Sequence, residues 1–136
     1  MSLVLDASTT LSWYFDDETT PVTDAVLEQV ASGGAVTPSL WRLEVANALQ
    51  MALRRKRITR SYRDEVLTQP RDMPISIDFE TDAQAWTATL SLSERFSLTL
   101  YDATYLELAQ RQNLPLATLD QELRAAAKAL EIKVFN

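Results

Sequence analysis

The stretch Ser2-Leu3-Val4-Leu5-Asp6 decides the fold class of this chain. A short apolar run that stops at a charge is typical of a buried strand, and a site lies beyond the carboxyl ends of the strands in parallel sheets. Other short segments predict further strands at 35–37, 115–117 and 133–135, and the alternation of Ile75-Ser76-Ile77 predicts one at 75–77. Helical patterns separate these runs, so the sequence predicts an α/β domain built around a short, largely parallel central sheet.

The helices between the strands are predicted from apolar spacing and from turn signals. They are expected at 8–15, 21–31, 38–57, 59–68, 80–96, 101–112 and 120–130. Pro38 is expected in the first turn of its helix, and Pro70 is expected to break the helix that precedes it. The spacing of Ala83, Trp86 and Leu90 predicts the buried face of the segment 80–96.

The length and composition are those of an ordinary globular protein, with 136 residues, 46% hydrophobic and 24% charged. We therefore expect one domain covering residues 1–136. No apolar run is long enough for a membrane span, and the N-terminal residues lack the pattern of a signal peptide. The expectation is a cytoplasmic protein without a membrane partner.

The absence of histidine and cysteine narrows the chemistry. It excludes a Ser-His-Asp triad, a cysteine nucleophile, a disulfide and a histidine-ligated zinc. Hard-cation chemistry through oxygen ligands is the main catalytic option left.

Six of the 13 basic residues fall between positions 54 and 63, although the formal net charge is −6. Such a patch is compatible with phosphate binding, and cations at the end of a helix are the alternative explanation. The candidate phosphate contacts in this patch are Arg54, Arg55, Lys56, Arg57 and Arg60.

Four carboxylates stand out by position. Asp6 and Asp120 each follow a predicted strand, and either could instead be a helix cap. Glu44 and Asp102 border the apolar stripes of their helices, where an unpaired carboxylate is costly. The alternatives are a salt bridge for Glu44, for example to Arg42, and a favourable helix dipole for Asp102.

A shared location for these four acids would make them repel one another and raise one another's pKa. A divalent cation resolves that conflict, and Mg²⁺ or Mn²⁺ suits an all-oxygen site. Three polar residues are expected to support the acids: Ser8, Thr118 and Asn47, the last through a hydrogen bond to Glu44.

Four ordered motifs resemble those of PIN-domain nucleases, and most closely those of VapC-type toxins of toxin–antitoxin systems. They are Val4-Leu5-Asp6-Ala7-Ser8, Glu44-x-x-Asn47, Tyr101-Asp102-Ala103 and Ala117-Thr118-Leu119-Asp120. The resemblance implies a three-layer α/β/α fold with Asp6, Glu44, Asp102 and Asp120 as the catalytic acids. It also implies Mg²⁺- or Mn²⁺-dependent cleavage of RNA, a homodimer and inhibition by a cognate antitoxin.

The mechanistic hypothesis is that Asp6, Asp102 and Asp120 mainly hold metal, while Glu44 positions a metal or the attacking water. Two other acidic α/β sites fit poorly. A receiver-type phosphorylation domain needs an acidic pair after the first strand, and a haloacid-dehalogenase-type phosphatase needs an acid where Ser8 stands. The remaining alternative is a catalytically silent binding module that keeps the fold and sequesters a protein or RNA.

Overall fold

The computed structural model describes residues 2–135. Strands and helices alternate along the chain as the sequence predicted. In chain order they are β1 (Leu3–Leu5), α1 (Ala7–Ser12), α2 (Pro21–Gly33), β2 (Ala35–Pro38), α3 (Leu40–Arg54), α4 (Arg60–Asp72), β3 (Ile75–Asp78), α5 (Thr81–Gln84), α6 (Ala88–Phe96), α7 (Leu100–Gln112), β4 (Leu116–Ala117) and α8 (Gln121–Ala129).

The four strands form one parallel sheet in the order β3-β2-β1-β4. β1 lies between β2 and β4, and all three of its residues are fully buried. A strand covered on both faces has no polar side to alternate with, which explains the unbroken apolar run at 3–5. The predicted α/β class with a parallel central sheet is confirmed.

Helices flank the sheet on both faces. The chain steps from β1 to β2 to β3 in one direction and then returns past β1 to β4. Because such crossovers are right-handed, helices α1 to α4 lie on one face and α5 to α7 on the other. The packing of α1 and α4 against α3, and of α6 and α8 against α7, agrees with this arrangement. All strands remain parallel, but the direction in which successive strands are added to the sheet reverses, and the switch point lies between β1 and β4. In open parallel sheets, ligand sites form at such a switch point.

Two prolines were misplaced by the sequence prediction. Pro38 is the last residue of β2, where it pairs in register with Asp78, and α3 begins only at Leu40. Pro70 lies inside α4, which continues to Asp72. Its ring is buried and it lies two residues before the helix end, so the helix loses the one hydrogen bond that an N–H at this position would donate and then ends.

The segment 80–96 is not the single helix that its spacing predicted. It forms α5 and α6, separated by a break at which Thr87 leaves helical geometry with φ −122° and ψ −96°. The residues expected to face inward, Ala83, Trp86 and Leu90, are all exposed. Beyond the break the buried positions are Thr89 and Leu92, because the second helix restarts with a different phase.

The predicted strand at 133–135 is reduced to one parallel bridge between Val134 and Leu116. Within residues 2–135, no helix combines the length and apolar character that crossing a bilayer requires.

Candidate active site

Asp6 lies at the carboxyl end of β1, beside the end of β4. Its backbone N–H donates to the carbonyl of Ala117 at 3.0 Å, which continues the strand pairing by one step. Its side chain is the acceptor for two hydroxyls on the same oxygen: Thr118 Oγ1 donates to Oδ2 at 2.6 Å and Ser8 Oγ at 2.8 Å. With Asp6 only 5% exposed, these bonds hold a nearly buried carboxylate at the edge of the sheet.

Asp6 occupies the N-cap position of α1, yet its side chain makes no capping hydrogen bond. The capping explanation for this residue is therefore wrong. Ser8 also accepts from the Leu119 N–H at 3.0 Å, so it joins the start of α1 to the loop after β4.

Asp120 does cap a helix. Its Oδ1 accepts from the Leu123 N–H of α8 at 2.8 Å, and its own N–H donates to Thr118 Oγ1 at 3.1 Å. The Thr118 hydroxyl thus links Asp6 and Asp120. Capping occupies one carboxylate oxygen, so Asp120 can serve the helix and the site together.

Glu44 lies in α3, half-buried, and its Oε1 accepts a hydrogen bond from the Tyr105 hydroxyl at 2.5 Å. The predicted partner was Asn47, and that prediction is wrong. Asn47 is exposed, and it makes no hydrogen bond with any residue in 2–135. Arg42 forms no ion pair with Glu44 in the same range.

Asp102 lies in the first turn of α7, where the Thr99 hydroxyl caps the helix by accepting from the Asp102 N–H at 3.1 Å. At this position the positive end of the helix dipole stabilises the carboxylate, which is the structural alternative that the sequence offered for Asp102. Tyr105 follows three residues later on the same helix face and is fully buried.

The four acids are called the acidic cluster below, and the pKa values of Asp6, Glu44 and Asp102 are raised. Burial raises the pKa of Asp6, and the charge on Asp120 adds to it. Burial also raises the pKa of Glu44, with contributions from Asp6 and Asp102, although the Tyr105 hydrogen bond opposes the rise. The pKa of Asp102 is raised by burial and then by Asp6 and Asp120. Each of the four carboxylates is therefore close enough to another member for their charges to interact.

No lysine or arginine among residues 2–135 forms an ion pair with any member of the acidic cluster. The described acids also do not form a preassembled group of three with the spacing that a metal ion needs. The donor set nevertheless fits a hard cation, because it is all oxygen, its charge is not neutralised and one member is nearly buried. Asp6, Glu44, Asp102 and Asp120 are the residues that could hold one.

Two residues near the cluster were missed from the sequence. Tyr105 contacts Glu44 across 61 positions of chain, and no local pattern signals such a contact. Glu122, an exposed residue of α8, contributes to the raised pKa of Asp102. Its place in the first turn after Asp120 was the available signal.

The predicted basic patch lies at the other end of α3 from the cluster. Arg54 is the last residue of that helix, ten residues beyond Glu44, which corresponds to about 15 Å along the axis. Arg57 is engaged with Asp17 at 2.5 Å and Glu18 at 3.4 Å. RNA contact by this patch stays a prediction, and it requires a substrate that extends well beyond the acids.

The raised pKa values predict that the protein without metal loses stability as the pH rises toward neutrality. In the folded state Asp6, Glu44 and Asp102 hold protons that the unfolded chain releases near pH 4. The free energy of unfolding therefore falls as the pH rises from about 4 through the folded-state pKa values. The measurement is Tm in EDTA at pH 5 and pH 7.5. The triple variant Asp6→Asn/Glu44→Gln/Asp102→Asn should flatten the profile, and an equal slope in both proteins would contradict this.

The fold and the site together define an α/β domain that gathers carboxylates where β1 and β4 end. The family model of the PIN domain matches residues 3–129, so the chain belongs to the PIN domain family, as its motifs predicted. It is 27% identical over 130 residues to Ribonuclease VapC3 of Pyrobaculum aerophilum, covering 96% of this chain and 98% of that protein.

Two solved structures share the fold. FitAcB from Neisseria gonorrhoeae superposes with a TM-score of 0.68 at 16% identity, covering 100% of this chain and 97% of that one. PAE2754 from Pyrobaculum aerophilum gives a TM-score of 0.60 at 20% identity, covering 93% and 84%.

Proposed function

We propose that this protein is an endoribonuclease that depends on Mg²⁺ or Mn²⁺ and acts as the toxin of a toxin–antitoxin pair. The observation that carries the proposal is the acidic cluster itself, four interacting carboxylates without a cationic partner in residues 2–135. Membership of the PIN domain family and similarity to a protein named Ribonuclease VapC3 support RNA as the substrate.

Each member of the cluster has a proposed role. Asp6, Asp102 and Asp120 hold the metal, and the hydroxyls of Ser8 and Thr118 keep the Asp6 carboxylate in place. Glu44 positions the metal or the attacking water. The Tyr105 hydroxyl bonds to Glu44 Oε1, which leaves Oε2 for that metal or water.

The bound cation supplies Lewis-acid stabilisation of the phosphate and acidity for the attacking water, which a chain without histidine otherwise lacks. Water is then added across the phosphodiester bond, and the bond from phosphorus to the leaving oxygen breaks. Glu44 takes the proton that the water gives up, and the leaving oxygen keeps the bonding electron pair and takes up a proton from solvent, so one water is consumed for each bond broken.

The assembly of the protein is also proposed. The resemblance to VapC-type toxins supports a homodimer, a cognate antitoxin that inhibits it and a cytoplasmic location. We further propose that residues 1–136 act as one nuclease domain, since the family match covers nearly all of them.

The direct test is cleavage of a mixed RNA pool by the purified protein. We expect cleavage with Mn²⁺ or Mg²⁺ and none with EDTA, and no cleavage by the triple variant Asp6→Asn/Glu44→Gln/Asp102→Asn under any condition. Folded wild-type protein that binds RNA but never cuts it would instead support the silent binding module.

Metal binding should also appear as thermal stabilisation. A ligand that binds only the folded state adds about 2.7 kcal/mol at one hundred times its Kd, which raises Tm by several degrees. We expect that rise on adding Mn²⁺ to wild-type protein and a negligible one for the triple variant. An equal rise in both proteins would place the ion outside the acidic cluster.

A further inference from the structure

The buried hydroxyl of Tyr105 makes a contact that core packing does not require. The side chain is fully buried, and its phenol oxygen donates to Glu44 Oε1 at 2.5 Å. A phenylalanine would fill nearly the same volume without a polar atom to satisfy. Packing alone therefore does not explain why the side chain carries a hydroxyl.

Glu44 is the side chain that this hydroxyl restrains. A glutamate can lose about 1.5–2 kcal/mol of side-chain conformational entropy when it is fixed, so an unsupported one samples several rotamers. The Tyr105 bond is the only hydrogen bond made to the Glu44 carboxylate within residues 2–135. It leaves Oε2 without a protein donor in that range and able to serve a ligand.

The same bond joins two helices that each carry a member of the acidic cluster. Glu44 belongs to α3, on one face of the sheet, and Asp102 belongs to α7, on the other. Tyr105 lies about one turn beyond Asp102, so its position along α7 is fixed relative to that acid. The hydrogen bond from Tyr105 therefore fixes the position of Glu44 relative to α7, the helix that carries Asp102.

We propose that Tyr105 is a positioning residue of the nuclease reaction, whose hydroxyl holds Glu44 in the orientation that serves metal and water. The proposal rests on the proposed function. It assigns Tyr105 no contact with the substrate.

The test is Tyr105→Phe, which removes one oxygen atom and keeps the ring. Loss of a group that orients a metal ligand typically costs about 10- to 100-fold in metal affinity or activity. We expect a loss of that size in Mn²⁺ affinity measured by titration calorimetry, and a fall of similar size in kcat. The KM for RNA should stay within about twofold, because no RNA-contacting group has changed.

Tyr62→Phe is the matched control. Tyr62 also donates from its hydroxyl, to the backbone carbonyl of Tyr14, and makes no hydrogen bond with the acidic cluster. It should leave the Mn²⁺ affinity and kcat unchanged. If Tyr105→Phe only lowered Tm and kept wild-type Mn²⁺ affinity and kcat, Tyr105 would be structural and the proposal would be overturned.

A measurement without metal separates this proposal from the proposed function. NMR relaxation of the Glu44 side chain in EDTA should show greater mobility in Tyr105→Phe and wild-type order in Tyr62→Phe. Unchanged order in Tyr105→Phe would overturn the positioning role. The mobility of Glu44 could increase in Tyr105→Phe while the wild-type protein neither binds Mn²⁺ nor cuts RNA. That result would support the restraint of Glu44 by Tyr105 and refute the nuclease assignment.

Discussion

Asp6→Asn is expected to reduce RNA cleavage by about a thousandfold, the upper range for losing one preorganised electrostatic group. The same variant is expected to be more stable than wild-type protein at neutral pH in EDTA. Both effects come from one property of the residue. Its carboxylate is nearly buried beside other acids, which raises its pKa, so the charge that serves a cation is a cost to the fold.

Asparagine suits this test because it has almost the same shape as aspartate. Its side-chain oxygen can accept the hydrogen bonds from the Thr118 and Ser8 hydroxyls in place of the carboxylate oxygen. The expected gain in Tm is a few degrees in EDTA, and the gain should shrink or reverse when Mn²⁺ is added, because only wild-type protein then recovers binding energy.

The matched control is Asp16→Asn, the same substitution at an exposed acid outside the cluster. It should change neither kcat nor Tm appreciably. Full Mn²⁺-dependent cleavage by folded Asp6→Asn would remove Asp6 from the catalytic set. A large loss of stability would show that its hydrogen bonds matter to the fold more than its charge costs.

The strands could be predicted from short apolar or alternating segments between turn signals, and β1 is the clearest case. Its three residues are buried on both faces, so local hydrophobicity alone identifies it. The helix break near Thr87 could not be predicted in this way. The spacing of Trp86 and Leu90 fits a helical stripe equally well whether tertiary contacts cover it or leave it exposed.

The acids of the site were predictable for a related reason. Asp6 follows a buried strand, and its position relative to the sheet edge is set by chain topology. Tyr105 was not predictable, because its partner Glu44 lies 61 positions away in the chain and only the tertiary fold brings the two side chains together. Asn47 was wrongly chosen as that partner because sequence proximity was the only guide.

The largest expected loss of stability comes from Arg111→Met, at about 3–5 kcal/mol. Arg111 on α7 donates to Asp78 Oδ2 at 2.6 Å and to Glu107 Oε2 at 2.8 Å. The two acidic side chains are only 6% and 3% exposed. Methionine keeps much of the packing and leaves two buried carboxylates without a cation, which is the costly way to break such a pair.

The pH dependence of this loss distinguishes charge from packing. Burial alone would raise the pKa of Asp78, but hydrogen bonds from Arg111 and Thr81 outweigh it and hold that pKa below its usual value. The stabilisation is present above the unfolded pKa near 4 and is lost as the pH falls. Without Arg111 the Asp78 carboxylate can protonate, so the Tm difference between variant and wild-type protein should narrow from pH 7 toward pH 4.

Two further variants complete the test, which is measured by urea unfolding at pH 7 in EDTA. Arg71→Met removes an exposed pair with Asp72, at 3.6 Å, and should change the free energy of unfolding by less than about 1 kcal/mol. Arg111→Met/Asp78→Asn/Glu107→Gln removes the stranded charges and should recover much of the loss. If the triple variant were no more stable than Arg111→Met, the lost packing of the arginine stem would be the cause. Recovery would show that charge compensation by Arg111 anchors the end of β3 to α7, the helix that carries Asp102 and Tyr105.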